Sequence, residues 1–301
     1  MKKPLIKIFL LNFLLVLLIS GCKETPPYID FSKKIIGLRD TNYVGTNTPS
    51  PVMKKIYIED LTGVRCNNCP KAAVNIHDIS LANPGKVVAL GVYASTLTNF
   101  MTPWPGFQNL STTVADNIFK DIFKSPGAIP TGGVNRKVFP GEAITVSYNS
   151  WSGFADIIKM EESPVIIKDS LIAYDSILRK ARILVKLIFT KKYIEEVNLS
   201  LYLIESKIIS KQSMPSPATE PKDDYEHNHV LRKAITNFSG LPLKINSSTI
   251  GNYEVGRVFE KEFEVDLDAN WKVKNCAFVV LVNRFDDNSK EVLQASELDL
   301  Q

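Results

Sequence analysis

Histidine and cysteine are both scarce in this chain of 301 residues, which has three histidines and four cysteines. With so few histidines, no serine–histidine–acid arrangement can be argued for a hydrolase. The sequence also lacks a glycine-rich phosphate loop and a dinucleotide-binding fingerprint. These absences leave the few cysteines as the best candidates for reactive residues.

A strong charge of either sign is also missing. The formal net charge is +4, and Lys2, Lys3 and Lys7 supply most of it. A nucleic-acid binder needs a basic stripe or patch, and none is present in the rest of the chain. Nucleic acid is therefore excluded as a partner.

The apolar run Ile6–Ile19 is shorter than the roughly 20 residues that span a bilayer. Its basic start and its small residues at the end are typical of a secretory signal. The four residues Ile19-Ser20-Gly21-Cys22 match the bacterial lipobox, which predicts that Cys22 is acylated and anchors the chain to a membrane. An ordinary signal peptide with an incidental cysteine is the alternative. Lys23 and Glu24 follow without an aspartate, which favours the outer membrane and leaves open which face the protein occupies.

The composition divides the chain into four parts. Residues 1–21 are the predicted lipoprotein signal, and residues 22–54, rich in Pro, Thr, Asn and Lys, are a predicted tether. The rest, in a chain that is 45% hydrophobic, suffices for two globular domains. We place them at residues 55–162 and 163–301.

The first predicted domain alternates strands and helices, which is typical of a parallel or mixed α/β sheet. Its predicted strands are Lys55–Leu61 and Lys86–Ala94, and its predicted helices are Asn67–Leu81, Leu110–Phe123 and Ser150–Met160.

The second predicted domain contains strands only, joined by turns rich in Pro, Gly, Asn and Asp. Seven strands in this length favour an immunoglobulin-like β-sandwich. The predicted strands are Val165–Tyr174, Ala181–Thr190, Val197–Ser206, His227–Ile235, Val255–Asp266, Cys276–Arg284 and Glu291–Leu298.

Cys66 and Cys69 form a CxxC pair between a predicted strand and a predicted helix. The unpaired N–H groups and partial positive charge of a helix N-terminus stabilise a thiolate, the form that attacks a disulfide. In an exported protein we expect this pair to form a disulfide. Half a zinc site is the alternative, but no second CxxC and no HxxxH is present. Cys276 lies in an apolar strand and is predicted to be a buried, inert thiol.

Two further residues stand where the thioredoxin fold has functional groups. Asp60 lies six residues before Cys66, and Pro130 belongs to Gly127-Ala128-Ile129-Pro130-Thr131. The chain resembles thioredoxins in both. The resemblance implies that Cys66 is the exposed nucleophile, that Cys69 resolves the mixed disulfide, and that Asp60 relays a proton. It also implies a cis bond before Pro130, with a backbone edge that an extended peptide can pair with.

The sequence departs from thioredoxins around the cysteines. Arg65 replaces the usual tryptophan before the first cysteine, and a cation there is predicted to lower the thiol pKa. Asn67-Asn68 replaces Gly-Pro. The segment Ser95–Leu110, with Trp104, looks like an insertion that either walls a binding groove or packs as a loop.

The three histidines leave alternatives open. His77 follows Cys69 by eight residues on the predicted helix, and we expect a surface or half-buried position without a role. His227 and His229 alternate on a predicted strand and so face the same way. They either contribute to a metal site with a third ligand or form a polar strand entrance. We favour the second and predict no metal or other cofactor.

The chain as a whole resembles a particular family. The resemblance rests on the lipobox and on four further stretches: Ile58–Pro70, Ile129–Arg136, Tyr225–Arg232 and Glu291–Ala295. These are similar to outer-membrane lipoproteins of Bacteroidetes-type bacteria named for a 28-kilodalton outer membrane protein. The resemblance implies a thioredoxin-like domain followed by a β-sandwich at the outer membrane, and implies no settled activity.

Two functions follow as hypotheses. In the first, the protein performs thiol–disulfide exchange on exported proteins, with Cys66, Cys69, Asp60 and Pro130 as its site. In the second, it is a binding or structural lipoprotein in which the Cys66–Cys69 disulfide only staples the start of a helix. Fold alone does not decide between them.

Overall fold

The computed structural model of the protein describes residues 37–46, 49–218, 220–247 and 249–300. Cys22, the signal and residues 22–36 and 47–48 of the predicted tether lie outside these ranges, whereas the rest of the predicted tether is described and contains two short strands. Within them, no helix is both long enough and apolar enough to cross a bilayer.

The described elements are mostly strands. The strands are β1 Asp40–Val44, β2 Val52–Met53, β3 Ile56–Leu61, β4 Val87–Val92, β5 Thr131–Val134, β6 Val146–Ser147, β7 Glu162–Ser163, β8 Val165–Asp175, β9 Lys180–Phe189, β10 Asn198–Glu205, β11 Ile208–Gln212, β12 Lys222–His227, β13 Val230–Ala234, β14 Leu241–Pro242, β15 Arg257–Asp266, β16 Cys276–Asn283 and β17 Val292–Asp299. The α-helices are α1 Cys69–Ala82, α2 Thr98–Met101, α3 Thr113–Asn117 and α4 Trp151–Ile158, and α3 continues as a π-helical turn over Ile118–Ile122.

One large sheet carries the site. Its strands are ordered β17-β16-β10-β13-β4-β3-β5-β6, with β14 attached to β10. Strands β3 and β4 are parallel and are joined by α1, whereas β5 is antiparallel to β3. The chain therefore leaves the end of β3 through the CxxC loop before it turns into α1.

A second sheet, ordered β1-β15-β9-β8, contributes to the largest core. Along β9 every second residue is buried, from Ala181 to Phe189. This period of two places one face of the strand in the core. That face clusters with Leu199, Leu201 and Phe278 of the large sheet, so the C-terminal half forms two packed layers.

Helix α1 begins at the CxxC pair because Pro70 occupies its first turn, where a missing N–H costs no hydrogen bond. Its buried positions Ala72, Ile76 and Ile79 recur at helical spacing. They pack in one cluster with residues of β3 and with Trp151 of α4. This packing fixes the start of α1, and with it Cys69, against the sheet.

The predicted fold class, an α/β thioredoxin-like domain followed by an immunoglobulin-like sandwich, is wrong. Of the residues that the structure describes, 40% lie in strands, which form several sheets, and 16% lie in helices. The predicted alternation exists locally in β3, α1 and β4, but that sheet continues through β13, β10, β16 and β17. Sequence periodicity identifies a strand and leaves its pairing partner undetermined. The all-β prediction for the C-terminal part agrees with the structure, and the domain boundaries at residues 54 and 162 stay predictions.

Individual elements were predicted more accurately than the class. The predicted strands and helices correspond to described elements within a few residues, except that His227–Ile235 begins later, as β13. Strands β11 and β12, which form an antiparallel hairpin, are not among the predicted elements. We call this pair the cover hairpin, because it lies over the CxxC loop.

Candidate functional site

Cys66 and Cys69 form a disulfide, with their Cα atoms 5.4 Å apart. The expected pairing is confirmed. Cys69 is the first residue of α1, where the unpaired N–H groups and the helix dipole favour negative charge. A thiolate released at Cys69 would therefore be stabilised by the helix.

The expectation that Cys66 is exposed is wrong, because only 2% of its surface is accessible. The cover hairpin provides part of the cover. Gln212, at the end of β11, donates from Nε2 to the carbonyl oxygens of Cys66 at 2.9 Å and Gly63 at 3.2 Å. The neighbouring Ser213 N–H donates to the Val64 carbonyl at 2.9 Å. Exchange at Cys66 therefore requires part of the chain around the CxxC loop to move.

The segment 95–110 packs against the same loop from another side. The Arg65 guanidinium lies 3.8 Å from the centre of the Trp104 ring and donates to the Thr102 carbonyl at 2.7 Å. A Cβ atom added at Gly63 would lie 2.6 Å from the Phe100 carbonyl oxygen, so this close approach requires glycine. Of the two roles considered for this segment, packing as a loop is the one observed.

Asp60 lies near the end of β3 and is only 5% exposed. Its Oδ1 accepts no hydrogen bond from the part of the chain that the structure describes. Burial raises the pKa of Asp60 to about 8, since the charged form loses its hydration without gaining a partner. At neutral pH the carboxyl is therefore mostly protonated and can give up a proton.

The stability of the protein should fall between pH 5 and pH 7 because of Asp60. Its pKa is about 8 when folded and near 3.8 ordinarily, so in this range the folded state holds one more proton than the unfolded state. The free energy of unfolding then decreases by about 1.4 kcal/mol per pH unit, or about 2.7 kcal/mol over the range. Urea unfolding at pH 5, 6 and 7 should show a loss that is larger in the wild type than in Asp60→Asn by this amount, because Glu297 and His227, whose pKa values burial also shifts, contribute equally to both proteins.

The matched control is Asp156→Asn on the outer side of α4, where Asp156 pairs with Lys159. It should keep the wild-type pH dependence. If Asp60→Asn showed the same slope as the wild type, the carboxyl would not be buried and protonated as described.

Asp60, Cys69 and all three histidines line one cleft of about 400 Å³, which we call the Asp60 cleft. His227 is buried, and its Nδ1 lies 3.0 Å from the Tyr93 hydroxyl oxygen. Burial lowers the pKa of His227 to about 4, so its ring is neutral at pH 7.

The expectation that His227 and His229 alternate on one strand is wrong. His227 ends β12, and His229 lies in the turn to β13 with φ of +56°. A φ in this region marks a turn position. Among the described residues, no three His, Cys, Asp or Glu side chains are placed to hold a metal ion.

Pro130 stands at the same edge of the sheet as the CxxC loop. The Ile129–Pro130 bond is cis, as the resemblance implied. Thr131 pairs with Leu61 across β5 and β3. Pro130 therefore lies beside the point where the chain leaves β3 toward Cys66.

Several residues of the site were missed by the sequence analysis. Glu59, adjacent to Asp60, forms a fully buried ion pair with Arg136, whose Nε and Nη2 donate at 2.7 and 2.6 Å. An acid within a buried strand was the available signal, because it requires a cationic partner elsewhere. Tyr93 and Gln212 gave no comparable signal.

Cys276 is confirmed as a buried free thiol. Its surface is 2% exposed, and burial raises the pKa of Cys276 to about 12. A thiol that stays protonated is a poor nucleophile. Cys276 is thus a natural internal control for the CxxC pair.

Comparison with known proteins gives one family and a shared fold. The family model described as Outer membrane protein Omp28 matches residues 116–300. Among solved structures, HBP35 of Porphyromonas gingivalis superposes with a TM-score of 0.61 at 15% identity, covering 83% of this chain and 76% of that one. Protein AGR_C_4864 from Agrobacterium tumefaciens has a TM-score of 0.50 at 12% identity, covering 84% of this chain and 97% of that one. At these identities the likeness concerns the fold alone. No curated protein matches the chain.

Proposed function

We infer the function from the premise that this chain belongs to the Omp28 outer membrane protein family. We propose that its Cys66–Cys69 pair exchanges disulfides with exported proteins at the outer membrane. Cys66 is the sulfur that clients attack, Cys69 is the leaving sulfur, and Asp60 is the proton donor.

The proposed step starts from the disulfide. A client thiolate attacks Sγ of Cys66, the Cys66–Cys69 bond breaks, and Cys69 leaves as a thiolate that takes the proton of Asp60. A second client thiolate then attacks the client sulfur of the mixed disulfide. Cys66 is released as a thiolate and takes a proton from solvent. Two electrons pass from the client dithiol to the CxxC pair, and the reverse sequence reduces a client.

The observation that carries this proposal is the unpaired Asp60 in the same cleft as Cys69. A buried carboxyl group without a hydrogen bond costs stability, and such groups concentrate at functional sites. A disulfide that only stapled a helix start would need no acid beside it. The client's path past Pro130, at the start of β5, is part of the same proposal.

A structural disulfide is the second candidate, and the burial of both sulfurs favours it. The two hypotheses differ in what the cover hairpin does. For exchange the hairpin must open, whereas for a staple it stays closed.

Gln212→Ala should speed the reaction of the disulfide with reduced glutathione about tenfold. The substitution removes the amide that holds the Cys66 and Gly63 carbonyls, and a lost buried hydrogen bond of this kind shifts a local opening equilibrium by about that factor. Rates would be followed by alkylating the free thiols at successive times and measuring the products by mass spectrometry.

Gln108→Ala is the matched control. Gln108 is an exposed glutamine whose side chain accepts a hydrogen bond from Arg232 and none from the CxxC loop. Its substitution should leave the rate unchanged. An unchanged rate in Gln212→Ala would mean that the cover hairpin does not limit access to Cys66.

We also propose that the chain is anchored through a lipid on Cys22, which lies outside the described residues. The support is the lipobox Ile19-Ser20-Gly21-Cys22 together with the family's outer membrane location. Mass analysis of the N-terminal peptide should find an acylated Cys22 as the first residue. In Cys22→Ser the protein should leave the membrane fraction, and its retention there would overturn the proposal.

A further inference from the structure

The Asp60 cleft contains three buried polar atoms that lack hydrogen-bond partners in the described chain. They are Asp60 Oδ1, His227 Nε2 and His229 Nδ1. Buried polar atoms are nearly always satisfied by protein, water or a ligand. Asp60 and His227 are more than nine-tenths buried, at 5% and 2% exposure. The three residues that carry these atoms all line one cleft, which indicates that something binds there.

The shape of the Asp60 cleft fits a small organic molecule. Its volume of about 400 Å³ lies within the range of small-molecule sites. The apolar side chains among its lining residues include Ala73, Val74 and Ala89, from α1 and β4. Polar residues, Asp60 and His227 among them, line the same cleft, so it combines apolar surface with a few hydrogen-bonding groups. A metal ion is the poorer fit, because no three ligating side chains converge among the described residues.

The charge of the Asp60 cleft selects among organic molecules. None of its lining residues is Lys or Arg, and Asp60 and Glu226 are acids, which disfavours an anion. Burial keeps the Asp60 carboxyl protonated and the His227 ring neutral at pH 7, so the inner end carries no charge to pair with a cation. A protonated carboxyl both donates and accepts, and a neutral imidazole nitrogen does one or the other.

We propose that the Asp60 cleft binds a small uncharged molecule that has an apolar body and an adjacent donor and acceptor, as in a carboxamide. The amide end lies against Asp60, His227 and His229, and the apolar body lies against Ala73, Val74 and Ala89. This inference goes beyond disulfide exchange and does not depend on it.

Three isosteric probes test the proposal: benzamide, benzamidinium and benzoate, with charges of 0, +1 and −1. Saturation-transfer NMR on the full chain in detergent at pH 7 would measure the binding of each. We expect saturable binding of benzamide with a dissociation constant of about 1 mM, which suits nine heavy atoms. Benzamidinium and benzoate should bind at least tenfold more weakly.

Two variants locate the binding. Ala73→Phe fills the cleft from its exposed wall and should abolish the benzamide signal, and His227→Phe should weaken it at least tenfold. The control Ala269→Phe, at an exposed turn after β15, should bind as the wild type does. Cys66→Ser should lose exchange and keep benzamide binding, because Cys66 does not line the cleft.

Several outcomes would overturn the proposal. The first is the absence of saturable benzamide binding, which would leave water as the occupant. The second is benzamide binding that survives Ala73→Phe. The third is binding of benzamidinium or benzoate as tight as that of benzamide. The last result would show that the charge of the cleft is not as described.

Discussion

Replacing Cys66 by serine should abolish disulfide exchange, lowering the rate at least a thousandfold. Serine leaves no sulfur at position 66 for a client thiolate to attack, and Cys69 begins α1 beneath the cover hairpin. The assay would mix the oxidised chain with a reduced, unfolded protein such as lysozyme and follow client disulfides by thiol alkylation and mass. Cys69→Ser should behave differently when it is mixed with a disulfide-bonded client: the Cys66 thiolate attacks the client disulfide and displaces one client thiolate, and the mixed disulfide at Cys66 accumulates because no second thiol resolves it.

Cys276→Ser is the matched control for this experiment. Cys276 is a free cysteine buried in β16, and it should be dispensable for exchange. Removing the disulfide should also cost about 2 kcal/mol of stability, whether or not the pair is catalytic. Stability alone therefore does not separate exchange from a structural staple. If the wild type were no faster than Cys66→Ser, exchange would not be the function.

Removing the charge of Glu59 should destabilise the protein by about 3–5 kcal/mol. Glu59 and Arg136 have fully buried side chains and form a bidentate pair. In Glu59→Gln the guanidinium keeps its charge in the core without a counter-ion, which is the costly case for a buried ion pair. Urea unfolding at pH 7 would measure the loss.

Glu254→Gln provides the matched control, because Glu254 pairs with Arg257 at the surface and its side chain is 45% exposed. Exposed pairs contribute about 1 kcal/mol or less, so we expect little change there. The double variant Glu59→Leu with Arg136→Met should regain most of the stability, since it leaves no unpaired charge. Equal effects of Glu59→Gln and Glu254→Gln would contradict the burial of the Glu59–Arg136 pair.

The parts of the site that the sequence predicted are local in the chain. Cys66, Cys69 and Asp60 lie within ten residues of one another, at a junction of strand and helix that periodicity identifies. The burial of Cys276 was predictable for the same reason, since the side chains of an apolar strand usually lie in the core.

The parts that were missed depend on contacts between distant segments. In the cover hairpin, β12 is polar, with Lys222, Asp223 and Asp224, and its sequence is typical of a connection, whereas β11 alternates but is only five residues long. Strand β13 joins β4 through a single pair, Val230 with Gly91, which continues the large sheet. Gly91 donates to the His229 carbonyl at 2.7 Å, and this contact brings the β12–β13 turn to the cleft. No pattern within either segment specifies that contact.

Gly132 shows the same limit on a smaller scale. The pair Gly132-Gly133 has the composition of a turn, yet it lies within β5. A Cβ atom at Gly132 would lie 1.8 Å from the Glu59 carbonyl oxygen, so the close approach of β5 to β3 requires glycine. Glycine is required at position 132 because of its contact with β3, and the sequence alone does not reveal this contact.

The reduction potential of the Cys66–Cys69 pair tests the central claim most directly. It would be measured on the full chain by equilibration with glutathione buffers, alkylation of free thiols and mass analysis, with Cys276→Ser to remove the unrelated thiol. Disulfide exchange predicts a potential between roughly −120 and −270 mV, the range of exchange proteins, and its value gives the direction of electron transfer. A potential below roughly −300 mV would identify a structural disulfide and contradict the proposed function.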